Sequence, residues 1–126
     1  MVAIGTHRDL LAWQESMKLV VMIYTDTKVF PRKEMFGLAS QMRRAAVSIP
    51  SNIAEGAGRN TGREFAQFLG VACGSLAELD TQLELASRFG YLAGESESHS
   101  QLRRVRQLLV ALRKSMRARD VILEPA

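Results

Sequence analysis

The chain has 126 residues, 47% of them hydrophobic, with 17 Lys and Arg against 13 Asp and Glu for a net charge of +4. This length fits one compact domain with an adequate core, and the modest basic excess permits a nucleic-acid or other anionic partner without requiring one. The single cysteine, Cys73, excludes an internal disulfide, no apolar run approaches the roughly 18 residues that cross a bilayer, and the N-terminal MVAIGTHRD lacks a signal peptide's apolar segment. A cytoplasmic protein with no membrane partner is expected.

Four helices are expected, and no strand. The first covers about 9–28. Asp9 is placed to cap its opening turn, and Leu10, Trp13, Met17, Val20 and Tyr24 recur at alternating three- and four-residue steps. Trp13 reads as a core anchor in preference to a ligand-pocket residue. Phe30-Pro31 then breaks the pattern.

The second helix is expected over 33–56, with Glu34 favourably placed in its first turn and a core line of Met35, Leu38, Met42, Ala45, Ile49 and Ile53. At about 100° per residue, Gln41, Arg44, Ser48, Asn52 and Glu55 form a polar seam about 80° wide. Val47, Pro50 and Ala54 make a further apolar sector, so the helix reads as covered on most sides. The seam reads as a structural network in which Arg44 and Glu55 neutralise each other through Ser48 and Asn52. Pro50 removes a donor and crowds the carbonyl of Ala46, which predicts a kink or break, with Ser48 and Ser51 beside it to bond freed carbonyls. Gly56 and Gly58 are expected to end the helix in left-handed backbone. The loop GAGRNTGRE lacks the spacing of a nucleotide-binding motif and reads as a turn.

The third helix, over 62–89, opens on Thr61 and Glu64, a capping box. Phe65, Phe68, Ala72, Leu76, Leu79, Leu83 and Ala86 form its core face, and Gly90 ends it. Its flank is a stripe of small side chains: Ala66, Gly70, Cys73, Gly74, Ala77 and Thr81. Glycine inside a helix costs about 1 kcal/mol relative to alanine, so the pair at Gly70 and Gly74 points to close approach of another helix. Cys73 reads as a small buried residue of that stripe, not a nucleophile.

The fourth helix is expected over 99–119, with Ser98 and Gln101 as its start signal and Leu102, Val105, Leu109, Leu112 and Met116 toward the core. Arg103, Arg106, Arg113, Lys114 and Arg117 line the adjoining flank, with no acidic residue in the helix before Asp120. Such a stripe is either a solvated face or a phosphate-binding surface, and its single sign favours weighing the second. Residues 121–126 read as a flexible tail. The whole chain, 1–126, is predicted to be one all-α domain, an antiparallel up-down-up-down four-helix bundle with its second helix kinked at Pro50.

Catalytic signals are poor. His7 and His99 have no metal-ligand spacing to other ligating residues, and Glu55 is the lone carboxylate of the polar seam. No enzyme activity, metal or cofactor is expected. Two readings remain. The first is nucleic-acid binding through phosphates by Arg103, Arg106, Arg113, Lys114 and Arg117, with Arg43, Arg59 and Arg63 as additions. The second is a structural or protein-interaction scaffold that meets an acidic protein and takes no nucleic acid. Exposed aromatics able to stack on bases are expected to be scarce, which argues against specific single-strand recognition. Val47 and Ala54 on the second helix, and Ala66, Gly70, Gly74 and Ala77 on the third, lie outside the predicted core and predict a homo-oligomer.

The run SQMRRAAVSIPSNIAEGAGR at Ser40–Arg59 resembles the signature of a bacterial four-helix-bundle family, as do RDLLAWQ at Arg8–Gln14, FPRKEMFGL at Phe30–Leu38 and GSLAELDTQLELASRFGYL at Gly74–Leu92. That family includes proteins encoded in intervening sequences of 23S ribosomal RNA genes and the accessory variability proteins of diversity-generating retroelements. His7 stands where an aromatic is usual in it, and the last thirty or so residues match no fixed motif. The resemblance implies a homopentamer with a basic surface, association with RNA or DNA, and, for the retroelement members, a reverse transcriptase partner. It implies no catalytic role for Arg44, Ser48, Asn52 and Glu55, which match the signature.

Overall fold

The computed structural model describes residues 5–123, with side chains as far as Arg119. It is all-α, with four long helices: α1 (Leu11–Thr27), α2 (Leu38–Ala57), α3 (Gly62–Arg88) and α4 (Glu97–Leu123). Single 3-10 turns at His7–Asp9 and Arg32–Glu34 precede α1 and α2. Consecutive helices pack on one another and α4 returns against α1, so the four enclose one core. Among the described residues no strand occurs.

The first helix starts later than Asp9. Thr6 caps the turn His7–Asp9, and the Asp9 carboxylate accepts from the backbone N–H of Gly5 and Thr6 at 3.0 and 3.2 Å. Asp9 therefore caps the turn and not α1, whose own N-terminus has no side-chain cap. The buried face of α1 is also rotated from the expected one. Leu19 and Ile23 are fully buried, whereas Met17 and Tyr24 are exposed. The segment LVVMIY is apolar all round, so several faces of it satisfy the helical period equally. Trp13 is half-buried against the core, with the His7 ring edge-on at 5.1 Å and the Arg8 guanidinium over it at 5.3 Å. His7 so supplies an aromatic contact.

Helix α2 begins at Leu38, five residues beyond the expected start, because Arg32–Glu34 closes a separate turn. The core line through Met42, Ala45, Ile49 and Ile53 is buried as expected. The helix is continuous through Pro50, which is itself buried. The Ser51 hydroxyl donates to the carbonyl of Val47 at 2.8 Å, and Ser48 turns instead to Ser75 on α3. Gly56 lies inside the helix, where a Cβ would meet Phe65 and Phe68 side-chain atoms at 2.8 Å and the Phe65 carbonyl at 3.2 Å. Its role is close approach to α3, not a left-handed stop, and Gly58 has φ −84°. The positive φ, +81°, belongs to Gly90 after α3.

Thr61 caps α3 as predicted, accepting from the N–H of Glu64 at 3.1 Å. Helix α4 begins earlier than expected and continues to Leu123, so residues 121–123 of the expected tail are helical and 124–126 lie outside the described residues. Ser98 is not its cap. It is buried inside the first turn and donates to the Asp26 carboxylate of α1, and Gln101 donates to the carbonyl of Glu15 at 2.8 Å.

Candidate nucleic-acid interface

The one-signed stripe of α4 divides when its surroundings are known. Arg103 pairs with Glu95 at 3.3 Å, Arg104 with Glu15, and Arg106 with Asp80 at 2.9 Å. Arg113 donates to the carbonyl of Ala66 on α3 at 3.3 Å. Lys114, Arg117 and Arg119, the last not among the expected contacts, are exposed and have no carboxylate partner among the described residues. The free positive charge thus sits on the later turns of α4. Of the expected additions, Arg43 donates to Thr27 at 2.9 Å and stacks over Tyr24, while Arg59 pairs with Glu55 at 2.9 Å and covers the Phe68 ring. Arg63 is exposed on the first turn of α3.

The polar seam of α2 is not one network. Asn52 donates to the carbonyl and hydroxyl of Ser48 at 2.8 and 3.0 Å, and Ser48 shares a 2.8 Å hydrogen bond with Ser75. Glu55 pairs with Arg59 one turn on, not with Arg44. Eleven residues separate Arg44 from Glu55, about 16 Å along the axis, too far for the two to share a bond through two short side chains. Arg44 and Gln41 instead line an open groove of about 470 Å³ between α2 and α3, with Ala45, Ser48, Ser75, Glu78 and Gln82. The side-chain oxygen of Gln82 is buried there without a hydrogen-bond partner.

The small-residue stripe of α3 is also divided. Ala66 is buried, and a Cβ on Gly70 would meet the Arg113 guanidinium at 2.8 Å. This part of the stripe seats α4's own arginine, which corrects the expectation that a second subunit covers it. Gly74 faces open space, Ala77 and Val47 are exposed, and Ala54 is half-buried. Cys73 is half-buried, and burial pushes its thiol pKa up.

Among the described residues the most enclosed charged side chain, Glu15, had no counterpart in the sequence pattern. Glu15 is 5% exposed on α1 and accepts from Lys18 at 2.7 Å and from Arg104. Those two hydrogen-bonded cations, Lys18 first, hold its pKa at about 2 against the opposing effect of burial. At helical spacing Glu15 lies opposite the expected face of Leu10, Trp13 and Met17, so its place in the sequence carries no mark of burial. Only the rotation of α1 places it against α4. Among the described residues no three of His, Cys, Asp and Glu converge as metal ligands, and no helix is long and apolar enough to cross a membrane.

Four helices around one core, with cations on the later turns of the last helix that have no carboxylate partner among the described residues, define an all-α four-helix protein with a basic flank. The chain belongs to the family of 23S rRNA-intervening sequence proteins, whose family model matches residues 8–114. It is similar to the crystal structure of a protein of unknown function from the S23 ribosomal protein family of Bacteroides thetaiotaomicron, with 23% sequence identity, 90% of this chain and 100% of that chain covered, and a TM-score of 0.61. At that identity the likeness concerns the fold. Comparison with the curated proteins gives no match.

Proposed function

We propose that this chain is a non-enzymatic, oligomeric accessory protein of the cytoplasm that binds nucleic acid, RNA in preference to DNA, through backbone phosphates. The observation that carries the reading is the trio Lys114, Arg117 and Arg119, exposed along about 7 Å of α4 with no carboxylate partner among the described residues. Free cations at helical spacing suit a phosphate chain and need no base reader. The family description, which names an intervening sequence of 23S rRNA, favours RNA as the ligand.

Three cations in one subunit give weak binding at physiological salt. Several copies on a common scaffold raise the effective concentration of sites. Exposed Val47, Val71 and Val110, with Gly74 facing open space, support a contact between copies. Gly74→Leu should lower the mass found by light scattering if close helix approach occurs there. A monomer at micromolar concentration for the unmodified protein would contradict the oligomer.

The scaffold reading has its own support, because Arg103, Arg104 and Arg106 are already paired within the chain and leave less charge for a polyanion. Fluorescence anisotropy with labelled single-stranded RNA, competed by polyglutamate or by DNA, separates the two. RNA binding that weakens steeply with salt, by a slope of about 2 in log–log form for three phosphate contacts, supports the first. Binding of polyglutamate with no affinity for either nucleic acid transfers the function to the second.

A further inference from the structure

The connection between α1 and α2 carries two phenylalanines with opposite fates. Phe30 is buried and packs its ring 5.3 Å from that of Tyr91. Phe36, six residues later, is 100% exposed. A large ring wholly in water is unfavourable by itself, so its surroundings matter.

Three features fix those surroundings. Successive backbone hydrogen bonds, from the N–H of Glu34 to Pro31, of Met35 to Arg32 and of Gly37 to Glu34, at 2.9, 3.2 and 3.0 Å, make the segment an ordered turn. The Glu34 carboxylate is turned to the hydroxyl of Tyr91, which donates to it at 2.8 Å, so the turn is tied to the α3–α4 connection. Lys28, Arg32 and Lys33 are exposed and have no carboxylate partner among the described residues. The segment's one acidic side chain is thus engaged with Tyr91, while the exposed Arg32 and Lys33 stand four and three residues before the exposed ring, in the same turn, and Lys28 stands at the end of α1.

We propose that the turn at Phe36 is a stacking platform for a base of single-stranded nucleic acid, with Lys28, Arg32 and Lys33 holding the adjoining phosphates. Aromatic faces accept any base but only when it is unpaired, and cations beside them track the backbone. A second copy of this chain is the weaker occupant, since the chain is net +4 and would bring more positive charge to a basic turn. The proposal rests on the phosphate-binding reading above and adds to it a preference for single strands. The expectation that exposed stacking aromatics are scarce misses Phe36, whose position, about 100° round from Met35 at helical spacing, lies off the core line through Met35, Leu38 and Met42.

The test uses the full chain, a labelled uridine 12-mer, a labelled RNA duplex of the same length, and vesicles containing phosphatidylserine. Phe36→Ala should weaken binding of the 12-mer by about tenfold or more and leave duplex binding unchanged, while Phe36→Tyr keeps the unmodified affinity for both. Unmodified protein that binds the 12-mer and duplex, with Phe36→Ala neutral or equally damaging to both, overturns the platform and leaves the phosphate reading standing. Unmodified protein that binds neither RNA overturns both. A fall in mass on light scattering for Phe36→Ala with RNA affinity unchanged assigns the ring to a contact between copies. Loss of vesicle binding alone assigns it to a membrane surface, and either result overturns the proposal.

Discussion

The earlier turns of α4 and its later turns carry cations at similar density, yet they meet different neighbours. Arg103, Arg104 and Arg106 each find a carboxylate, on the α3–α4 connection, on α1 and on α3. Arg113 finds a backbone carbonyl, and Lys114, Arg117 and Arg119 find no acid among the described residues. A single stripe in the sequence is therefore two surfaces in space. The earlier one is paired within the chain, and the later one has charge left for an external anion. Local spacing reports which residues share a face and is blind to what lies opposite.

The comparison breaks most severely at Glu15. Replacing it by lysine puts a third cation between Arg104 and Lys18 in a buried site, and Glu15→Lys should lower stability by about 3–5 kcal/mol in a denaturant melt. A change below about 1 kcal/mol would show that the earlier turns of α4 do not depend on the carboxylate.

Acid should act on the same group with a smaller effect. The folded pKa of Glu15, about 2, lies below the ordinary 4.5, so its stabilisation is complete above pH 4.5 and disappears as pH falls toward 2. Because Lys18 and Arg104 are themselves half or more exposed, the loss is about 1–3 kcal/mol, a discounted figure. Melts of the unmodified protein and of Glu15→Gln across this window should diverge above pH 4.5 and converge near pH 2.

The exposed pairs should contribute less. Arg103→Gln and Arg106→Gln each remove a solvent-facing ion pair and should cost under about 1 kcal/mol. Smallest of all, Lys114→Gln and Arg117→Gln should leave stability within about 0.5 kcal/mol of the original, since neither side chain has a carboxylate partner among the described residues.

The same contrast explains how far the sequence could be read. The existence of four helices follows from apolar periods, and on α2, α3 and α4 those periods also mark the buried face: Ile49, Ile53, Leu76, Leu83, Val105 and Leu109 are all in the core. On α1 they do not, because LVVMIY satisfies several faces. That rotation puts Glu15 inside and Tyr24 outside, and it decides the fate of Arg104, 89 positions away in the chain. The Arg44–Glu55 pairing failed for a simpler reason. Sharing a face does not bring residues eleven apart into reach, and Arg59 is only one turn from Glu55. The small stripe of α3 was legible as a place of close approach. Its occupant at Gly70, the Arg113 guanidinium, was not.

Matched double variants in one salt titration test the division of α4 most directly. Arg103→Gln with Arg106→Gln removes two cations from the earlier turns, and Lys114→Gln with Arg117→Gln removes two from the later ones. Binding of labelled single-stranded RNA is followed by anisotropy from low to physiological salt, with helicity and mass checked for each protein. The later pair should reduce the log–log salt slope by about 1.4, two contacts at about 0.7 each on a single strand, and the earlier pair by less than half of that. Equal reductions, or a slope untouched by removing Lys114 and Arg117, would contradict the claim that the unpaired turns of α4 hold the phosphates.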